Sequence, residues 1–497
     1  QECPAWAVPC AHAHARLRPS GVARASTMTA RALEATPSLL GRQLAGRLRA
    51  ILAPALTAVA RRRGHLALLA LLAWIADYIR GARRVRLHFG RGPRALPSAS
   101  EASSRLARIV ARCPALRAVY WPTWYAPGAV LQFLLVGLHE LRAQLMRSPY
   151  HRQTLRLRDG ARIALDWVFP DRTPGSSNGL GNGGPPVCVL LHGAFQDSSS
   201  VTMTSLAKDL AAQGSPVVVM NRRGYGGAGL QSDGAPRLAL FGFDEDLDDV
   251  LAAVVRRVPG RPVCIIGFSC GAGFAGRYVG KRAEWSAWGQ PQDPELAKPG
   301  AAAPPAGRPG AAVRPAAAGP PRLLCSVAYD PGYDVSPEGA IARMRPPFTW
   351  VVNLALKYFY AFRHRATLRR HSETYANAVR GMLSLKSGAV ETFCYSRKLS
   401  GLGCSDGWLD MQQPRLKEIK VPTLSINSRD DPVCVWRNVE ASMPEIFANP
   451  HMVLAEMHRG SHGCKLGVWG GANYANRMIR EFVMGCWQEW RDAGCGA

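Results

Sequence analysis

Acidic residues are scarce in this 497-residue chain, 35 Asp and Glu against 62 Lys and Arg, and the net charge is +27. The patterns that turn such a charge toward nucleic acid are missing: there is no zinc-finger spacing, no RNP-like aromatic motif and no P-loop. Much of the excess is arginine scattered among alanine and proline. Nucleic acid is therefore not the expected partner, and an anionic membrane surface is. The thirteen cysteines include no CxxC pair, which excludes the usual zinc and dithiol frameworks. Their odd number in so long a chain argues for free thiols in a reducing compartment, with Cys188 and Cys264 placed in apolar runs as core residues. No segment suggests metal ligation or a dinucleotide loop, so no cofactor is expected.

Long apolar runs are also lacking. Leu66 to Ala76 is uninterrupted but falls short of the ~20 residues of a full span, and arginines flank it at Arg61, Arg62 and Arg63 and at Arg80, Arg83 and Arg84. It is expected to act as a short anchor or interfacial helix within residues 48–85, the alternative being a buried or amphipathic soluble helix. Residues 1–47 show no period and are expected to be disordered, with Met28 an alternative start. Residues 86–149 are expected to form an N-terminal region ahead of the core. Hydrophobic residues make up 47% of the chain, enough for a sizeable core.

From about Tyr150 the pattern becomes regular. TLRLRDGARIALDWVF alternates on both sides of Asp159-Gly160, a hairpin. VCVLL, PVVVM, PVCIIGF, LLCSVAYD, VPTLSINS and HMVLAEM read as buried strands. Helical patterns lie between them, the clearest starting at Asp244 with Leu247, Val250, Leu251 and Val254 on one face, acids first and Arg256 and Arg257 last. Alternating strands and helices predict an α/β fold over 150–490, a mostly parallel sheet with helices on both faces. Two segments interrupt it: an Ala/Pro-rich stretch at 283–321, expected to be disordered, and an aromatic helical block at 339–410, expected to form a cap.

GxSxG occurs twice. Around Ser177 it lies in PGSSNGLGNGGPP, with no strand before it and no helix after; around Ser269 it joins a buried strand to a glycine-rich helix. Only the second context builds a nucleophile elbow, in which a sharp turn pushes the hydroxyl out at the carboxyl edge of the sheet. A serine needs a base, and the base needs a carboxylate to fix its tautomer. VPTLSINS ends in Asp430 and Asp431; Asp431, followed by Pro and Val, is the preferred acid, with Asp430 open. HRGSHG after the last strand supplies His462 as the preferred base, over His458. The oxyanion donors expected are the N–H groups of Cys270, after the nucleophile, and Ala194 in His192-Gly193-Ala194-Phe195. His192 and Asp197 also spell HxxxxD, a pattern associated with acyl transfer, although here they simply flank the oxyanion loop.

CPALRAVYWPTWY, DGARIALDW, LLHGAF, NRRGYGG, IIGFSCGAGFAGRYVGK, VPTLSINSRDDPV and GSHGCKLGVW occur in the order seen in the YheT-like α/β-hydrolases, and the chain resembles that family from about Arg105 to Val483. The resemblance implies an α/β-hydrolase fold with a cap and an N-terminal membrane-anchor-like helix, and a serine hydrolase cleaving acyl lipid esters through Ser269, the acid at Asp430-Asp431, and His462. Alcoholysis through the same acyl-enzyme and a catalytically silent lipid-binding role are the rival readings. Two features depart from the family: His192 stands where many members have proline, and the Ala/Pro-rich insertion is foreign.

Overall fold

The valine-rich runs fold as the centre of a nine-stranded sheet. The computed structural model describes residues 50, 64–92, 97–143, 148–170, 183–230, 232–288, 320–402 and 406–495. The 1–47 extension, the GxSxG around Ser177 and most of the Ala/Pro-rich stretch lie outside the described residues. Two units are distinguished, Gln1–Ile75 and Ala76–Ala497. In the first, residues 64–75 are helical, and Leu66, Leu69 and Leu72 are exposed. Among the described residues no helix is long and apolar enough to cross a membrane, so the expectation of a spanning anchor finds no support. The apolar run is simply too short, with Asp77 and Arg80 following it.

The second unit holds the sheet. Its strands are β1 (Arg86–Phe89), β2 (His151–Arg156), β3 (Arg162–Val168), β4 (Val187–Leu191), β5 (Val217–Asn221), β6 (Val263–Phe268), β7 (Leu323–Tyr329), β8 (Thr423–Ser428) and β9 (Met452–Met457). They lie in the order β1-β9-β8-β7-β6-β4-β5-β3-β2. The six from β4 to β9 pair in parallel, while β1, β2 and β3 run antiparallel to their neighbours. Every residue of the parallel strands is buried, the result of helices covering them, whereas edge strand β2 alternates exposed and half-buried residues. The β2–β3 hairpin turns at Gly160, whose φ is +79° and where a Cβ would overlap the Asp233 carboxylate.

Flanking the sheet are α1 (Pro97–Ala111), α2 (Ala129–Ala143), α3 (Val201–Ala211), α4 (Asp244–Arg257) and α5 (Cys270–Lys281). Between β7 and β8 lie α6 (Phe348–Leu356), α7 (Arg365–His371), α8 (Glu373–Leu383), α9 (Ala389–Arg397) and α10 (Asp406–Gln412); after β8 come α11 (Trp436–Ala448) and α12 (Tyr474–Asp492). Helices α6 to α10 form the expected cap. Leu356, Tyr360, Val379, Phe393 and Trp408 bury one another with Phe241 in a core distinct from that of the sheet.

Two boundaries differ from those expected. The sheet draws on residues before 150: β1 adds an edge strand against β9, and α1 packs on α12. The Ala/Pro-rich stretch begins later than Ala283, because Ser286 bridges to Leu323 and Trp288 is buried, its Nε1 donating to the Leu324 carbonyl at 2.6 Å.

Candidate active site

Ser269 lies between β6 and α5, with φ +53° and ψ −117°, a conformation an L-residue adopts only under constraint. Two glycines permit it. A Cβ at Gly267 would overlap the Gly271 carbonyl, and one at Gly271 would overlap the Leu191 carbonyl. The Ser269 N–H donates to the Tyr329 carbonyl at 2.9 Å, tying the turn to β7. The elbow expected at Ser269 is thus formed, with the side chain at the carboxyl edge of the sheet.

His462 Nε2 lies 3.0 Å from Ser269 Oγ, and His462 Nδ1 lies 2.8 Å from Asp431 Oδ2. The other Asp431 oxygen accepts from the Val433 and Cys434 N–H groups, each at 2.8 Å. Asp430 points elsewhere, accepting from the Ser461 N–H at 3.0 Å. His458 is exposed just beyond β9. Of the pairs left open by the sequence, the fold therefore brings Asp431 and His462 to Ser269.

Three carboxylates hold one loop. Asp430 takes the N–H of Ser461, Asp431 takes the ring of His462, and Asp330, at the end of β7, takes the N–H of Gly463 at 2.7 Å. Asp330 also accepts from Lys465 Nζ, which lies 2.6 Å from both its oxygens, and both side chains are buried. Neither Asp330 nor Lys465 was singled out from the sequence, because only the fold brings the two together.

The same carboxylates set the charges. Burial raises the Asp431 pKa, but His462 and Lys465 outweigh it and the group lies below the ordinary aspartate value. Burial pushes Asp430 up to about 6. For His462 burial disfavours the imidazolium, yet the Asp431 carboxylate and Cys434 more than offset this, leaving its pKa well above the ordinary histidine value of 6.5. Only neutral His462 accepts a proton. The acid limb of the pH–rate profile on a soluble ester is accordingly expected above pH 6.5, and a limb at or below that value would count against His462 as the base.

Ala194 and Cys270 line the same cavity as Ser269, and no hydrogen bond among the described residues takes either N–H. Arg222, after β5, fixes their surroundings. Its buried guanidinium donates to the carbonyls of His192 at 3.1 Å, Gly193 at 2.7 Å and Leu240, and lies 3.4 Å from Cys270 Sγ. Sequence reading passed over this arginine within NRRGYGG. His192 is wholly buried, its Nδ1 2.8 Å from the Gly193 carbonyl and its Nε2 accepting from the Arg222 N–H at 3.2 Å. Burial and the neighbouring Arg222 charge hold it neutral. Asp197 accepts from Ser199 instead, so HxxxxD is no catalytic pair here.

The cavity measures about 270 Å³ and is mostly apolar. Val351, Val352 and Leu356 of the cap line it, as expected. Phe133, Val136 and Glu140 of α2 line it too, a contribution from before residue 150. Asp431, Cys434 and His462 place ligand atoms within 4.8 Å of one another, donor types that zinc accepts. Both imidazole nitrogens are already engaged, however, one by Asp431 and one by Ser269.

The model of the Alpha/beta hydrolase family matches residues 188–462, more than half of the chain. The chain belongs to the alpha/beta hydrolase family. It is similar to human phospholipase ABHD3, 22% identical over 385 residues that cover 75% of this chain and 80% of that protein. Human protein ABHD15 is 24% identical over 315 residues, 63% of this chain and 57% of the relative. Both names fit the group that the motifs resemble. Among solved structures, the Pyrococcus furiosus esterase PF2001 matches 67% of this chain and 90% of its own, at 15% identity and a TM-score of 0.37.

Proposed function

We propose that this hydrolase cleaves carboxylic esters of acyl lipids with Ser269 as nucleophile, His462 as general base and acid, and Asp431 as the carboxylate that orients it. The observation that carries the reading is the hydrogen-bonded chain from Ser269 Oγ through His462 to Asp431, opening on an apolar cavity. Ser269 Oγ attacks the acyl carbon as its proton passes to His462 Nε2. The oxyanion is received by the Ala194 and Cys270 N–H groups, and the alcohol leaves with the proton from His462. Water, deprotonated by His462, then attacks the acyl-enzyme and releases the acid. The phospholipase name of the human relative supports a lipid ester as substrate. Association with a membrane surface belongs to the same proposal, the basic chain being suited to anionic headgroups.

An apolar cavity makes a prediction about acyl length. Each methylene it buries is worth ~0.8 kcal/mol, or about fourfold in kcat/KM, so rates on a series of p-nitrophenyl esters should climb steeply from acetate and level off once the cavity is filled. A flat series, or one that falls from acetate, contradicts an acyl-binding role for the cavity. A folded protein that cleaves neither these esters nor any phospholipid or monoacylglycerol is not the enzyme proposed.

A further inference from the structure

Helix α2 is apolar on two sides. Phe133 and Val136 face the cavity, while Leu131, Leu134, Leu138 and Leu141 lie on the surface, the last three at 60%, 64% and 62% exposure. Spacings of three and four residues put those leucines on one stripe. Helix α6 repeats the arrangement: Val352 and Leu356 turn inward, whereas Trp350 and Leu354 are 67% and 68% exposed.

The α6 stripe is extended by an irregularity. In an α-helix residues four apart drift about 40° around the axis, so Trp350, Leu354 and Tyr358 alone would wind off the face. The turn that follows, Lys357–Phe362, is a wider π turn. Phe362 stacks on Tyr358 at 6.0 Å with 21° between the rings, and both are exposed.

The two helices are neighbours. Phe133 meets Phe348 edge-on at 5.0 Å, joining α2 to α6, and beside α2 the Tyr125 hydroxyl lies 3.4 Å from the carbonyl of the exposed Trp469. Exposed leucine, tryptophan and tyrosine side chains gathered on two neighbouring helices mark an interaction site. Its rim is basic. From Gly339 to Ser372 the chain carries seven Lys or Arg and no acid, and Arg345, Arg363, Arg365, Arg369 and Arg370 are exposed.

We propose that the outer faces of α2 and α6, flanking the mouth of the Ser269 cavity, seat on the surface of an anionic lipid bilayer. Leucines and aromatic rings enter the headgroup boundary, the arginine rim meets phosphates, and the cavity opens toward the lipid it draws from. The basic rim favours a bilayer over a second copy of this chain, which would bring the same charges against each other. The inference deepens the lipid-ester reading and rests on it for the direction of substrate entry, not for the seating itself.

Hydrogen exchange of the full chain on vesicles tests it by segment, independently of any contribution from the Leu66 to Ala76 run. Residues 129–143 and 348–362 should be protected by phosphatidylcholine–phosphatidylserine vesicles and less by phosphatidylcholine alone. Two outward-facing double variants, L134E/L138E and W350E/L354E, should cut cleavage of an ester embedded in those vesicles by about tenfold or more while leaving cleavage of a water-soluble short ester unchanged. Should a variant also lose the soluble reaction, protection of the unaltered protein decides. Absence of protection, an unchanged vesicle rate, or protection that appears without vesicles and tracks a dimeric mass overturns the proposal. Protection without hydrolysis of any ester would leave the seating in place and sink the enzymatic reading alone.

Discussion

Asp431→Asn is expected to lower turnover on the order of 10⁴-fold, and Asp430→Asn to change it little. The difference lies in where each carboxyl points. Asp431 Oδ1 is committed to the Val433 and Cys434 N–H groups, so only Oδ2 faces His462 Nδ1. In the asparagine variant the oxygen stays with those two donors and the amide NH₂ turns toward Nδ1. The imidazole must then place its proton on Nε2, where it cannot accept the one from Ser269. Asparagine at Asp430 keeps an acceptor for the Ser461 N–H and replaces a carboxyl already pushed up to about 6. Steady-state kinetics on a soluble ester separates the two; equal losses would mean that the acid has been misassigned.

The second large effect concerns stability. Lys465→Met leaves the Asp330 carboxylate buried without its cation and should cost about 3–5 kcal/mol, read as a lower denaturation midpoint at unchanged slope. Asp330→Asn should cost a similar amount, since it strands the ammonium instead. The double variant is expected to recover much of the loss, because two neutral groups of similar volume no longer leave a charge unpaired. Activity should fall as well, as Asp330 also holds the Gly463 N–H beside His462. A single variant as stable as the parent would remove this pair from the account of how the histidine loop is placed.

How far the sequence could be read depended on whether a feature was local. The elbow is local: a buried strand, two glycines around Ser269 and a helix specify it, and the fold places it as expected. Strand β1 is not. Its four residues carry two basic side chains and alternate weakly, and only the free edge of β9 makes them a strand. The cavity wall shows the same limit. A periodic α2 can be seen in the sequence, but that its Phe133 side faces Ser269 while its leucine side faces outward depends on contacts with the cap more than two hundred residues away. Asp330, Lys465 and Arg222 escaped notice because a buried charge has no sequence signature of its own; its partner identifies it, and partners are set by the fold.

The most direct test of the central claim is covalent labelling of the full chain by a fluorophosphonate, beside Ser269→Ala, Ser177→Ala and His462→Ala. Unaltered protein and Ser177→Ala should label fully, His462→Ala weakly and Ser269→Ala not at all. Labelling that survives in Ser269→Ala, or a folded parent that does not label, would contradict the assignment of Ser269 as the nucleophile.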